Sequence, residues 1–203
     1  EQLGERAFAV TGVSPALAPH LLEEARLQAG WIGIRHRECA TQELDDPAYS
    51  SNPMDRCFAC KRELHSHLQP IAAAAGSAQV VDGVNLDDLG DHRPGIRAAQ
   101  EAGVRSPLAE LGIDKAAIRC LSHALGFPWW DKPAQPCLAS RFPYGESITA
   151  ERLRRVGHAE AWLIRNGFTR VRVRSQGLAA RIEVPRDRLQ DLLRLADEAS
   201  LVP

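Results

Sequence analysis

Short apolar runs that end in glycine, serine or proline, each followed by a segment of helical period, constrain this chain more than any other feature. The first run, residues 7–13, closes on Gly12-Val13-Ser14-Pro15, the form of a strand buried in a parallel sheet. Residues 18–29 then set Leu21, Leu22, Ala25 and Ala29 at helical spacing, with Gly30 as the stop. Residues 32–39 read as a second strand and 41–55 as a polar loop with two prolines. A helix is expected over about 57–75, closed by Gly76, and a third strand over 79–83. That strand runs into a polar loop, 85–93, which Pro94 and Gly95 keep irregular; Asp114 is placed to cap a helix over 115–125. Strand–helix alternation with short connections implies an α/β fold, a parallel sheet with flanking helices. Ligands of such sheets bind beyond the carboxyl ends of the strands, which points to the tips at 12–14 and 83–88 as nucleotide sites.

The rest of the chain reads differently. Residues 129–144 are rich in proline and aromatics without periodicity, a linker that can double as an active-site loop. Thr149 caps a long helix with Leu153, Val156, Ala159, Ala161, Trp162 and Leu163 toward one side. Val171-Arg172-Val173-Arg174 alternates as a half-buried strand, 178–184 supplies a partner, and 186–200 closes as an amphipathic helix. The expected division is therefore 1–145 and a small C-terminal α+β unit, 146–203.

With 44% hydrophobic and 25% charged residues, the chain can bury a core without disulfide staples. No run approaches the roughly 18 apolar residues of a membrane span, so no membrane partner is expected, and without a basic-then-apolar-then-small leader secretion is not expected. A net charge of −1 argues against coating nucleic acid. Twelve arginines, no lysine and six acids lie between Arg141 and Arg194. Guanidinium forks suit phosphate and carboxylate, so an anionic ligand belongs near the C-terminal third, unless these arginines only dress solvated faces. Five cysteines, an odd count, argue for reduced thiols and a cytoplasmic location.

Cys57-Phe58-Ala59-Cys60 opens a predicted helix, so both sulfurs share one face near a terminus that favours thiolate. Cys137, flanked by Pro133 and Pro136, is a third candidate for the same place. The spacing admits zinc, an iron–sulfur cluster, a redox dithiol or simple packing. Three thiols suit a cluster with one open iron, or zinc completed by a histidine. His65 and His67 are nearest in sequence but read as surface helix residues, and Cys39 and Cys120 as packing residues.

Several ordered segments carry a resemblance. They are Asn52-Pro53-Met54-Asp55-Arg56-Cys57-Phe58-Ala59-Cys60-Lys61, Val81-Asp82-Gly83-Val84-Asn85-Leu86-Asp87-Asp88, Asp91-His92-Arg93-Pro94-Gly95 and Gly103-Val104-Arg105-Ser106-Pro107-Leu108. The series continues through Cys137-Leu138-Ala139-Ser140-Arg141-Phe142-Pro143-Tyr144-Gly145, Val171-Arg172-Val173-Arg174 and Ala180-Arg181-Ile182-Glu183. Together they resemble the LarE family, ATP-dependent sulfur transferases of the PP-loop (N-type ATP pyrophosphatase) superfamily. Family members carry an S-G-G-x-D-S phosphate loop after their first strand. Residue 1 falls after that point, so 1–145 is expected as a PP-loop domain without its first strand and phosphate loop.

The resemblance implies ATP with Mg2+ as co-substrate, adenylylation of the carboxylates of a pyridinium-3,5-dicarboxylate mononucleotide, and their conversion to thiocarboxylates for the nickel-pincer cofactor of lactate racemase. It implies that Cys57, Cys60 and Cys137 hold a [4Fe-4S] cluster whose fourth iron passes on sulfide from a sulfur donor; relatives with one cysteine, at the position of Cys137, sacrifice it. Ser140 and Arg141 would hold substrate phosphate or carboxylate, and Arg172 and Arg174 would clamp phosphate. Glu160 and Asp191 match family acids near metal and phosphate, hence Mg2+. Lys61 would meet a phosphate, and Ser14, Gly83, Asp88 and Arg93 would border the nucleotide. By analogy the protein is a homo-oligomer. Rival readings are a PP-loop tRNA thiolase, a non-enzymatic zinc-stabilised binding module, and an ATP-dependent amide-forming synthetase that leaves the cysteines without a task.

Overall fold

The computed structural model describes residues 3–198. Strands β1 (Phe8–Val13) and β2 (Arg35–Ala40) pair in parallel, Phe8 facing Arg35 and Val13 facing Ala40. Helix α1 (Pro19–Ile32) joins them. It runs through Gly30 and stops at Gly33, whose φ of 75° is left-handed and costs glycine nothing.

The predicted polar loop is partly ordered: a 3-10 turn Glu43–Asp45 and a short helix α2 (Pro47–Ser50), whose Asp46 cap accepts from the Ala48 N–H at 2.8 Å. Helix α3 (Arg56–Ala74) follows as expected. The third strand shrinks to an isolated parallel bridge, Val81 to Arg105. The Asp82 carboxylate accepts from the Val84 N–H and from the Ser106 hydroxyl, and this side-chain turn leads the backbone out of ladder geometry. Pro94 does not prolong an irregular loop. It starts α4 (Pro94–Glu101), because the N–H it lacks is unpaired at a helix start anyway.

Beyond a short helix α5 (Pro107–Glu110) comes α6 (Lys115–Ala124), with the Asp114 carboxylate accepting from the Ala117 N–H at 2.7 Å. Helix α7 (Ala150–Arg165) carries Thr149 as its cap. Strands β3 (Arg172–Gln176) and β4 (Ala179–Glu183) form an antiparallel pair, Val173 facing Ile182. Helix α8 (Leu189–Glu198) closes the described chain, and the predicted end of that helix at 199–200 lies outside the described residues. The fold is α/β, a parallel sheet with flanking helices plus a small antiparallel C-terminal sheet. Among the described residues no helix is long and apolar enough to cross a membrane.

The core runs across the expected division at 145. Ala16, Tyr49 and Ala59 pack in one cluster with Leu138, Phe142, Leu153, Val156, Leu163 and Val173, and Cys60 lies against it. Two ties hold the 137–148 segment onto this core. Leu138 donates its N–H to the Ala16 carbonyl at 2.9 Å. Asn52, fully buried in the left-handed region at φ 58°, donates its side-chain amide to the Pro143 carbonyl at 2.7 Å and accepts from the Gly145 N–H. Asparagine is one of the few residues that tolerate this backbone.

His65 departs from the expected surface position. It is buried in α3, and neither ring nitrogen has a partner. Burial, with Lys61 adding, lowers its pKa below the usual 6.5, and burial lowers that of His20 too. A histidine with a lowered folded pKa contributes stability that is present above the unfolded value and lost as pH falls through the folded one. The melting temperature is therefore expected to drop as pH is lowered from 7.5 to 5, and His65→Leu should blunt that drop, as read by thermal unfolding at each pH.

Candidate active site

Cys57 and Cys60 stand one turn apart at the start of α3, and Cys137 precedes a 3-10 turn Leu138–Arg141. The ties through Ala16 and Asn52 bring these segments together. The Cys60 thiol is pushed up to about 12, first by burial, then by the charges of Glu43, Cys137 and Cys57. Cys137 is exposed as a residue, yet the protein atoms packed around its thiol raise its pKa, with Cys57 adding; Arg56 and the N–H groups of Ala139 and Ser140 act the other way. Among the described residues no group of three or more His, Cys, Asp or Glu side chains is arranged to hold a metal ion.

A cavity of about 470 Å³ opens beside Cys57, between the starts of α3 and α4. Its lining includes Lys61, Gly83, Asp88 and Arg93, which the sequence assigned to phosphate and nucleotide, together with Asp82 and His92, which it did not. Gly95 makes the approach of α4 to α3 possible: a Cβ there would stand 3.2 Å from the Cys57 carbonyl oxygen and 2.9 Å from Lys61 Cγ. Asp88 accepts from the Asn85 N–H and side-chain amide and pairs with Arg93 at 2.9 Å, which shapes the loop. Ser14 is elsewhere. Its hydroxyl donates to Glu43 at 2.5 Å, and it does not line this cavity.

A second cavity, about 370 Å³, is bordered by Arg56, Ser140, Arg141, Arg174 and Arg181. A third, about 330 Å³, is bordered by His20, Arg141, Glu160, Arg170 and Arg172. Arg172 and Arg174 share a strand face as expected, but they open onto different cavities. Arg141 borders both, yet its donors are spent: Nε and Nη2 reach Glu160 at 2.8 and 3.0 Å, and Nη1 reaches the Pro136 and Cys137 carbonyls at 2.7 and 3.1 Å. Glu160 also accepts from the Val173 N–H at 2.9 Å. Asp191 pairs with Arg188 at 2.9 Å on α8. Both acids expected near Mg2+ are thus engaged by arginines. His67, at the surface as expected, pairs with Glu63, whereas Cys120 is exposed and not packed.

Arg56 and Arg181, which also line the second cavity, lie inside the matched segments without a role assigned from the sequence. No composition or spacing signal separates them from surface arginines.

Parallel strands with flanking helices, and a cavity that opens beside Cys57 at the starts of α3 and α4, define an α/β protein with a candidate ligand site. No model of a known protein family matches the chain. It is 36% identical over 196 residues, 97% of this chain and 71% of the relative, to pyridinium-3,5-bisthiocarboxylic acid mononucleotide synthase of Lactiplantibacillus plantarum. It is also 56% identical over 200 residues, 98% of this chain and 75% of the relative, to an uncharacterized protein of Synechocystis. An uncharacterized protein of Methanocaldococcus jannaschii matches at 32% over 136 residues, 67% of this chain and 53% of the relative. The chain belongs to the LarE family, that of the Lactiplantibacillus synthase.

Proposed function

We propose that this chain is an ATP-dependent sulfur transferase that converts the carboxylates of a pyridinium-3,5-dicarboxylate mononucleotide into thiocarboxylates, for the nickel-pincer cofactor of lactate racemase. The observation that carries the reading is that Cys57 lines the cavity with Lys61 and Arg93, while its neighbour Arg56 and Ser140, three residues after Cys137, line the cavity with Arg174. The name of the Lactiplantibacillus relative supports the substrate.

A carboxylate is a poor acceptor of sulfur because oxide is a poor leaving group. Attack of a carboxylate oxygen on the α-phosphorus of ATP forms a mixed anhydride and expels pyrophosphate. Sulfur then adds at the carboxyl carbon, and AMP leaves with the oxygen. In the cavity between α3 and α4, Lys61 and Arg93 offset phosphate charge, and Gly83, with no atom within 4 Å of a Cβ built there, lets backbone approach the nucleotide. Mg2+ enters with ATP. On the other side of the thiols, Ser140 and Arg174 hold the substrate's anionic groups.

The sulfur route we propose uses a [4Fe-4S] cluster on Cys57, Cys60 and Cys137. What supports this route is the donor type: Cys57, Cys60 and Cys137 are three thiols, the ligand class that would hold an iron–sulfur cluster. Their raised pKa values keep Cys60 and Cys137 protonated at neutral pH until a metal displaces the proton. When bound, the cluster supplies a sulfide at the iron that no protein thiol ligates. The same family reading makes the protein a homo-oligomer that receives sulfide from a separate donor.

Metal and sulfide analysis of protein purified without oxygen tests this route. About four irons per chain with matching acid-labile sulfide are expected, and Cys57→Ala should lose them. Zinc, or iron that survives Cys57→Ala, would overturn it.

A further inference from the structure

Arg56 is the first residue of α3 and only 6% exposed, yet its Nε and Nη1 have no hydrogen-bond partner. Among the described residues no acid pairs with it. Glu43 is buried as well, but it is not ion-paired with Arg56, and its own Oε2 is unpartnered. The contact Arg56 does have is aromatic, the exposed Tyr144 ring with its centroid 5.0 Å from the guanidinium carbon. A buried charge without a counter-ion is costly, and a cation at the start of a 19-residue helix also opposes the helix dipole. An anion at the same place is favoured by both.

The cavity that Arg56 borders asks for the same ligand. Arg174 and Arg181 share a single carboxylate, that of Glu183, at 2.7 and 2.8 Å. Ser140 sits beside them and donates its hydroxyl to the Cys137 carbonyl at 2.9 Å. The side chains around this space therefore carry more positive than negative charge, and of the two buried guanidiniums that border it, Arg141 is spent on Glu160 and backbone carbonyls while Arg56 keeps unspent donors.

We propose that Arg56 is a carboxylate-binding residue: its guanidinium holds one carboxylate of an aromatic dicarboxylate ligand beside Cys137, with Tyr144 as the outer wall. The naming of the ligand rests on the proposed function; the anion site does not. A carboxylate suits it better than a phosphate because a planar fork meets a planar acceptor.

The test uses the full chain, free of ATP and iron, titrated calorimetrically with pyridine-3,5-dicarboxylate or with inorganic phosphate. Wild type should bind the dicarboxylate. Arg56→Gln should lose at least about tenfold in affinity, Arg56→Lys should fall between the two, and phosphate affinity should change less. Without ligand, Arg56→Gln should melt no lower than wild type, because an unpaired buried charge has been removed, while the rise in Tm on adding dicarboxylate should vanish. Equal dicarboxylate binding by wild type and Arg56→Gln would overturn the proposal, as would a lower melting temperature with the ligand-induced rise intact. Failure of wild type to bind either anion would overturn it too. Intact dicarboxylate binding in an Arg56→Gln protein that no longer takes up iron would assign the charge to the cluster instead. Arg56-dependent binding in a protein that carries no iron would sustain the proposal while removing the cluster route, so the two readings fail separately.

Discussion

Cys137→Ala is expected to abolish thiocarboxylate formation, by at least about a thousandfold, while substrate-dependent exchange of pyrophosphate into ATP should persist within a few-fold of wild type. The separation is expected from where the residue's contacts lie. The backbone of the 137–141 turn is held by the Leu138 N–H on Ala16, by Arg141 Nη1 on the Pro136 and Cys137 carbonyls, and by Ser140 on the Cys137 carbonyl. None of these uses the thiol, so although the Ala139 and Ser140 N–H groups also face the sulfur, alanine keeps these bonds and the turn should stay in place. Lys61, Gly83 and Arg93 line the cavity beside Cys57 and keep their positions. What the substitution removes is one sulfur between the two half-reactions. Companion measurements on Cys57→Ala divide the cluster route from a sacrificial one: the cluster route loses sulfur transfer there as well, whereas a sacrificial Cys137 still gives one turnover. Equal loss of exchange and transfer in Cys137→Ala would make the cysteine structural.

The elements that sequence reading found are those whose signals are local. Asp114 and Thr149 were legible as caps because the cap bond spans three residues, and both bonds are present. The β3–β4 pair was legible because alternation and a two-stranded hairpin need no distant partner. The third strand is shorter than an apolar run suggests, since such a run does not reveal whether a neighbour lies along its length; among the described residues Arg105 alone bridges to it. Helix α4 was hidden because Pro94-Gly95 signals both a break and a start, and only the contact of Gly95 with α3 decides between them.

The site divides in the same way. Residue type and spacing singled out Cys57, Cys60 and Cys137, but their approach depends on Asn52 adopting a left-handed backbone and binding Pro143, 91 residues away. No periodicity encodes that contact. Nor does sequence distinguish a spent guanidinium from a free one. Arg141 and Arg174 looked alike as phosphate ligands, yet one is saturated by Glu160 and backbone carbonyls while the other shares Glu183 with Arg181. Arg56 sits in plain view before Cys57, and only its burial without a counter-ion marks it.

The saturation of Arg141 has a measurable consequence. Arg141 and Glu160 are 7% and 3% exposed, and their bidentate contact joins the Cys137 turn to α7 while Glu160 also secures β3 through Val173. Removing one member of a buried pair leaves the other charged and unpaired, at a cost of about 3–5 kcal/mol. Glu160→Leu or Arg141→Met should each lower Tm by roughly 10 °C in a chain of this length. The double replacement should recover most of that loss, because an apolar pair of similar volume needs no compensation. Arg141→Lys should behave more like Arg141→Met than like wild type, since an ammonium cannot span both Glu160 oxygens and the two carbonyls at once. Sulfur transfer should fall in the single variants together with stability, because the Pro136 and Cys137 carbonyls lose their anchor and the third thiol drifts from the other two. A direct role of Arg141 on the substrate predicts the opposite pattern, an unchanged Tm with a raised KM, and that result would return Arg141 to the list of phosphate ligands.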